Sequence, residues 1–152
     1  MDRKTVKSVG RTPIEFCDLL TTTKTKIHVK KGFTSSELSH LFQQGMVSAE
    51  LLSGDHVFRV GVRKELEKVD PLHVKLVPET SPNTKDYEVV FAIVDKREIA
   101  GWPKTLPFFS QVTLRNCHKY LTSLGYRVGL TRIGIAPLSS PTPIVVRRKK
   151  AK

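Results

Sequence analysis

The chain has 152 residues, 39% of them hydrophobic, and carries 26 Lys and Arg against 14 Asp and Glu, for a formal net charge of +12. That length supports one domain with its own core, and no apolar run approaches the ~20 residues that a membrane span needs. Two cysteines, Cys17 and Cys117, stand far apart without metal-ligand spacing, a pattern that favours buried free thiols and a reducing cytoplasm.

The opening segment, MDRKTVKSVGRT, has no apolar core of the kind a secretory signal requires, and its residues 4–9 read as a ragged first strand. PIEFCDLL and KIHVKK read as two strands joined by the polar TTTKT, a β-hairpin. The next helix is well marked. Thr34 and Glu37 fit a capping box, Phe33 and Leu38 fit a hydrophobic staple, and Leu38, Leu41, Phe42, Gly45, Met46, Ala49 and Leu52 recur at helical spacing. Ser36, His40, Gln43 and Ser48 lie off that stripe.

A shorter charged helix is predicted from Asp55 to Lys68, and a loop punctuated by Pro71, Pro78 and Pro82 follows, with HVKLV as a brief strand. YEVVFAIVD is the most apolar run in the chain, as expected of a central strand covered on both faces. GWPKTLPFF reads as a loop whose aromatic residues, Trp102, Phe108 and Phe109, pack on the core; a base-stacking platform is the alternative. Ser110 is the expected cap of a helix that runs to Leu124 with Leu114, Cys117 and Leu121 on one face, closed by Gly125. YRVGLTRIGI is a final strand. The order implies an α/β fold, a mixed sheet flanked by helices, over residues 1–136, with a flexible basic tail over 137–152.

Charge is distributed unevenly. After Glu98 there is no acidic residue, yet Lys104, Arg115, Lys119, Arg127, Arg132 and the tail RRKKAK follow. A one-sided charge of this kind attracts a polyanion, and nucleic acid is the commonest one in cytoplasm. Lys24, Lys26 and Lys31 on the hairpin, with Arg115, Lys119 and Arg127, are the expected phosphate contacts. A solubility tail with scattered surface lysines is the plainer alternative.

The hairpin invites a sharper reading. Side chains alternate along strands, so Asp18 on the first strand and His28 and Lys30 on the second can face one cleft, with His40 or Gln43 of the following helix in reach. Asp18, His28 and Lys30 in this order resemble the PD-(D/E)xK nuclease superfamily, in which carboxylates hold a divalent metal and a lysine faces the phosphate. The resemblance implies a restriction-endonuclease-like core, Asp18 as metal ligand, Lys30 as phosphate-facing cation and His28 in place of the usual glutamate. A histidine is a poor ligand for Mg²⁺ and suits Mn²⁺ better.

A second resemblance covers residues 10–128. GRTPIEFCDLL, IHVKKG, LSHLFQQGMVSAELL, YEVVFAIVD and LPFFSQVTLRNCHKYLTSLGYRV together resemble the C-terminal region of a sporadically distributed bacterial family of uncharacterised function. Its members are much longer, which implies a domain of a larger protein, and the patchy distribution fits mobile-element or phage-defence biology.

The sequence therefore predicts a cytoplasmic, nucleic-acid-associated α/β domain. Its sharpest form is a divergent Mn²⁺- or Mg²⁺-dependent nuclease acting through Asp18, His28 and Lys30. The alternative is a non-catalytic module that binds nucleic acid, other parts of a larger protein or a second copy of itself.

Overall fold

A six-residue apolar run, Val89 to Val94, lies within the strand to which the other elements attach. In a computed structural model that describes residues 5–7, 13–95 and 100–135, nine regular elements are in place. They are β1 (Thr5–Lys7), β2 (Pro13–Glu15), β3 (Leu19–Leu20), β4 (Thr25–Lys31), α1 (Ser35–Gly54), α2 (His56–Val69), β5 (Glu88–Asp95), α3 (Phe108–Ser123) and β6 (Arg127–Gly134). The tail over 137–152 and the outer residues of the ragged first strand lie outside the described residues.

The fold is α/β. One sheet has the order β3-β4-β5-β6, with β3 antiparallel to β4 and the other pairs parallel; β1 and β2 form a separate antiparallel pair. This mixed sheet is compatible with a restriction-endonuclease-like core. The strand expected over 13–20 is two strands. Its first part pairs with β1, then the chain bends at Asp18 and its last two residues pair with β4.

β5 runs in register with β4 and β6, Phe91 lying between His28 and Leu130. Parallel neighbours need long crossovers. One is α1 with α2 and the other is α3, and α1 packs against α3, so both lie on the same face of the sheet. Val89, Phe91 and Ile93 point into that layer with no exposure. On the opposite face Ala92 is buried, but Val90 and Val94 are only half-buried. The expectation that Val90 is closed off like Phe91 is therefore corrected: the described helices cover one face.

α1 starts as its sequence dictates. The Thr34 hydroxyl accepts from Glu37 N and the Glu37 carboxylate accepts from Thr34 N, a complete capping box. Leu38, Leu41, Phe42, Gly45, Ala49 and Leu52 are buried. Asp55 caps α2 through Phe58 N, and buried Arg59 donates to the carbonyls of Leu52, Ser53 and Glu79, which fixes the corner between the helices. The brief strand expected at HVKLV is a 3-10 helix, Pro71–Leu76, because Pro71 opens it and Asp70 caps it through Leu72 N. α3 begins at Phe108, with Pro107 at its cap. Ser110, the expected cap, is buried inside the first turn and donates to the Ser35 carbonyl. Gly125 ends the helix at φ +92, where other residues are strained.

Gly45 marks a close approach between layers. A Cβ there would lie 2.5 Å from the Phe91 ring and 3.1 Å from His28 Cδ2. Gly45→Ala is expected to lose about 1–3 kcal/mol by overpacking despite the better helix propensity. Gly54→Ala, with nothing within 4 Å, is expected to leave stability equal or higher. Ile93→Ala should cost about 2–5 kcal/mol. Denaturant midpoints of the three variants check this; an unchanged midpoint for Ile93→Ala would refute the central-strand assignment.

Candidate functional site

Alternation places Lys26, His28 and Lys30 on the face of β4 that meets α1, beside Val89, Phe91 and Ile93 of β5. Two of these polar side chains lie fully inside. Lys26 has 0% exposure. Its Nζ donates to Ser48 Oγ at 2.8 Å and lies 4.7 Å from the centre of the Phe16 ring. The Ser48 hydroxyl in turn donates to the Phe16 carbonyl. Burial pulls the Lys26 pKa down to about 7. The neighbouring Cys17 thiol is pushed up to about 12 by burial, against the opposing pull of the Lys26 charge.

His28 also has 0% exposure, and neither ring nitrogen has a hydrogen-bond partner among the described residues. Its ring lies 6.3 Å from that of Phe91, over the space that Gly45 leaves. Burial first, and the Lys26 charge second, take its pKa down to about 3, so the ring is neutral. The charge acting on the imidazole is thus that of Lys26 and not that of Asp18.

Asp18 is exposed at the bend before β3. Its Oδ2 accepts from Val29 N at 2.7 Å, so the carboxylate caps a strand-edge amide. Lys30 lies near the start of α1, where its charge acts on Glu37; the Glu37 carboxyl is held below its usual range mainly by the Thr34 hydrogen bonds. Asp18, His28 and Lys30 are therefore engaged by three different surroundings. No group of three or more His, Cys, Asp and Glu side chains is placed to hold a metal among the described residues. A buried imidazole on an apolar ring and an exposed carboxylate on a backbone amide do not make a donor pair for Mg²⁺ or Mn²⁺ as they stand. His40 and Gln43 are exposed on α1.

The expected phosphate contacts separate in the same way. Lys26, read as a phosphate contact, has no surface to offer. Lys24 forms an ion pair with Asp86 at 3.2 Å and lies over the Tyr87 ring. Lys31 is exposed at the end of β4. Arg127 is exposed in register with Glu88, on the opposite face of β6 from Val128 and Leu130.

Arg115 and Lys119 do come together, in a groove of about 440 Å³ between α3, β6 and the turn before α3. Leu106, Leu114, Val128 and Leu130 line it, and Lys104, His118, Arg115 and Lys119 add basic groups. The Gln111 side-chain amide donates to the carbonyls of Lys104 (3.0 Å) and Leu106 (2.7 Å), which ties the turn to the helix and sets one wall. No acidic residue lines the groove. His118 is within reach of sequence reasoning, since it lies one turn beyond Arg115. Lys104 is not, because only the folded turn brings it to α3.

The chain belongs to a family of unknown function, DUF6119, whose family model matches residues 1–134. No curated protein and no solved structure matches it. Among the described residues no helix is long and apolar enough to cross a membrane.

The buried groups make stability depend on pH in a defined sense. Between pH 3 and 6.5 the unfolded chain holds a proton on His28 that the folded chain lacks, so stability climbs with pH. Lys26 gives the same sign between about 7 and 10.5. Cys17 and Cys117, raised from 9.0 to about 12 and about 11, give the opposite sign above pH 9. Each group contributes a slope of at most about 1.4 kcal/mol per pH unit. Thermal midpoints should therefore rise from acid to about pH 9 and then fall, and Lys26→Met should flatten the part between pH 7 and 9. An unaltered profile in Lys26→Met would contradict the buried-amine assignment.

Proposed function

We propose that this member of DUF6119 is a nucleic-acid-binding module that works through phosphate contacts in the groove along α3, without catalysis at the hairpin. The observation that carries this reading is the groove itself. Lys104, Arg115, His118 and Lys119 border one concavity in a stretch of chain that has no acidic residue after Glu98. None of Lys104, Arg115 and Lys119 takes part in the ion pairs of the described residues. Cations that are not neutralised internally remain available to an external anion, and a row of them fits the regularly spaced charge of a nucleic-acid backbone.

The non-catalytic form is preferred because the hairpin groups already have structural work. The Asp18 carboxylate stabilises the Val29 amide, and His28 is enclosed by α1 and β5. That arrangement does not turn the Asp18 carboxylate, the His28 ring and the Lys30 amine toward one phosphodiester. Placement within a mobile-element or phage-defence protein, binding in cytoplasm and self-association are expectations from the sequence that this proposal neither needs nor uses.

The proposal has a direct test. Arg115→Glu with Lys119→Glu should weaken binding to all sequences alike and lower the dependence of log K on log salt, by roughly 0.7–0.9 for each phosphate that is no longer neutralised. Truncation after Ile144 is the control for the basic tail. Equal affinity of the double variant and the wild type would refute the groove.

Cleavage of labelled DNA and RNA should be absent with Mg²⁺ and with Mn²⁺ while binding persists. Metal-dependent cleavage that disappears in Asp18→Ala and Lys30→Ala would instead restore the nuclease reading.

A further inference from the structure

Two adjacent aromatic side chains stand out of the surface where α3 begins. Phe108 and Phe109 are each 71% exposed, with ring centres 5.5 Å apart and planes at 73°. Sequence pattern alone packs them on the core. Trp102 does turn inward, half-buried at 6.3 Å from Phe33, but the two phenylalanines do not. Val112, one turn on, is 41% exposed and extends the same apolar patch. Single exposed apolar side chains need no explanation, but an adjacent pair of large rings beside a functional groove does.

Phe108 lies in line with the groove, and the Phe109 ring adjoins it about 100° further round α3. From Phe108, helical spacing of three and four runs through Gln111, Arg115 and then His118 and Lys119, and these four side chains line the groove. One flank of α3 thus presents the Phe108 ring at its first turn, with Phe109 beside it, and cations along the next two, over a floor of Leu106, Leu114, Val128 and Leu130.

We infer that the groove takes an unpaired nucleic-acid strand, with bases stacked on Phe108 and Phe109 and phosphates held by Lys104, Arg115 and Lys119. The inference rests on the proposed nucleic-acid function and adds the substrate class. A duplex turns its phosphates outward and keeps the faces of its bases stacked inside, so it has nothing to set against exposed rings or an apolar floor. An unpaired strand offers both kinds of surface, and aromatic stacking beside a cationic track is the usual way to hold one. A lipid surface would also accept rings and cations together. It is broad and flat, however, and cannot follow cations into a concavity walled by the turn over residues 101–106 and by β6.

The experiment compares a short single strand, the duplex of the same sequence, inorganic polyphosphate and anionic phospholipid vesicles. The proteins are the wild type and three double variants, Phe108→Ala/Phe109→Ala, Phe108→Leu/Phe109→Leu and Phe108→Trp/Phe109→Trp. The side chains are exposed, so the fold tolerates the changes, and circular dichroism checks it.

The expected result is tighter binding of the single strand than of the duplex by the wild type. The Ala and Leu pairs should lose about tenfold or more in single-strand affinity, the Trp pair should retain it, and polyphosphate binding should stay constant throughout. Nucleic acid bound equally well as duplex and single strand, with no effect of the Ala pair, would overturn the inference and leave the groove reading in place. Vesicle binding lost in the Ala pair but kept in the Leu pair would overturn it in favour of a lipid surface. Absence of binding to any nucleic acid by the wild type would remove the underlying reading, and the inference with it.

Discussion

β5 has no hairpin partner. Both of its neighbours run parallel to it, so the chain must leave the sheet and return twice, once through α1 and α2 and once through α3. Crossovers between sequential parallel strands share one hand, which puts both on one face, and the packing of α1 against α3 is the result. α3 is the last of these helices and stands over β6, the edge strand. Its inner side, with Cys117 and Leu121, closes the core, while its outer flank faces a groove that no further helix fills among the described residues. The site follows from the connectivity of the sheet.

Much of this is readable in advance because local signals agree with the fold. Thr34 and Glu37 name the start of α1, Gly125 names the end of α3, and the apolar run of β5 names the core strand. The start of α3 misleads because Ser110, a good cap by type, is used instead to bond the Ser35 carbonyl across the helix interface. Such a role depends on a residue 75 positions away in the chain and leaves no local trace.

β4 shows a deeper limit. Its residues alternate as Lys26, Ile27, His28, Val29, Lys30, and pattern alone assigns the apolar pair to the core. The fold does the reverse. Lys26 and His28 are enclosed, and Ile27 and Val29 are half-buried on the other face. The inversion is tolerated because the inner positions adjoin Val89 and Phe91 and have their own accommodation: a hydroxyl from Ser48, a ring from Phe16 and the space left by Gly45. Both ionisable groups avoid much of the cost of burial by shedding charge. The hairpin that looks like a catalytic set is legible as unusual, and the reason for its oddity lies in packing across the α1 layer.

Lys26 also changes what chemical labelling of this protein would report. Exposed lysine amines are protonated at neutral pH and react slowly with acylating reagents, whereas burial pulls the pKa of the Lys26 amine down to about 7 and gives it a far larger uncharged fraction at that pH. It has no surface to be reached through, and the opening that exposes it also returns its pKa to the ordinary lysine range. Modification at this position must wait until α1 parts from β4. The rate of acylation at Lys26 is therefore a built-in clock for the opening of the core, in a chain whose other lysines can be labelled without unfolding it wherever they are exposed.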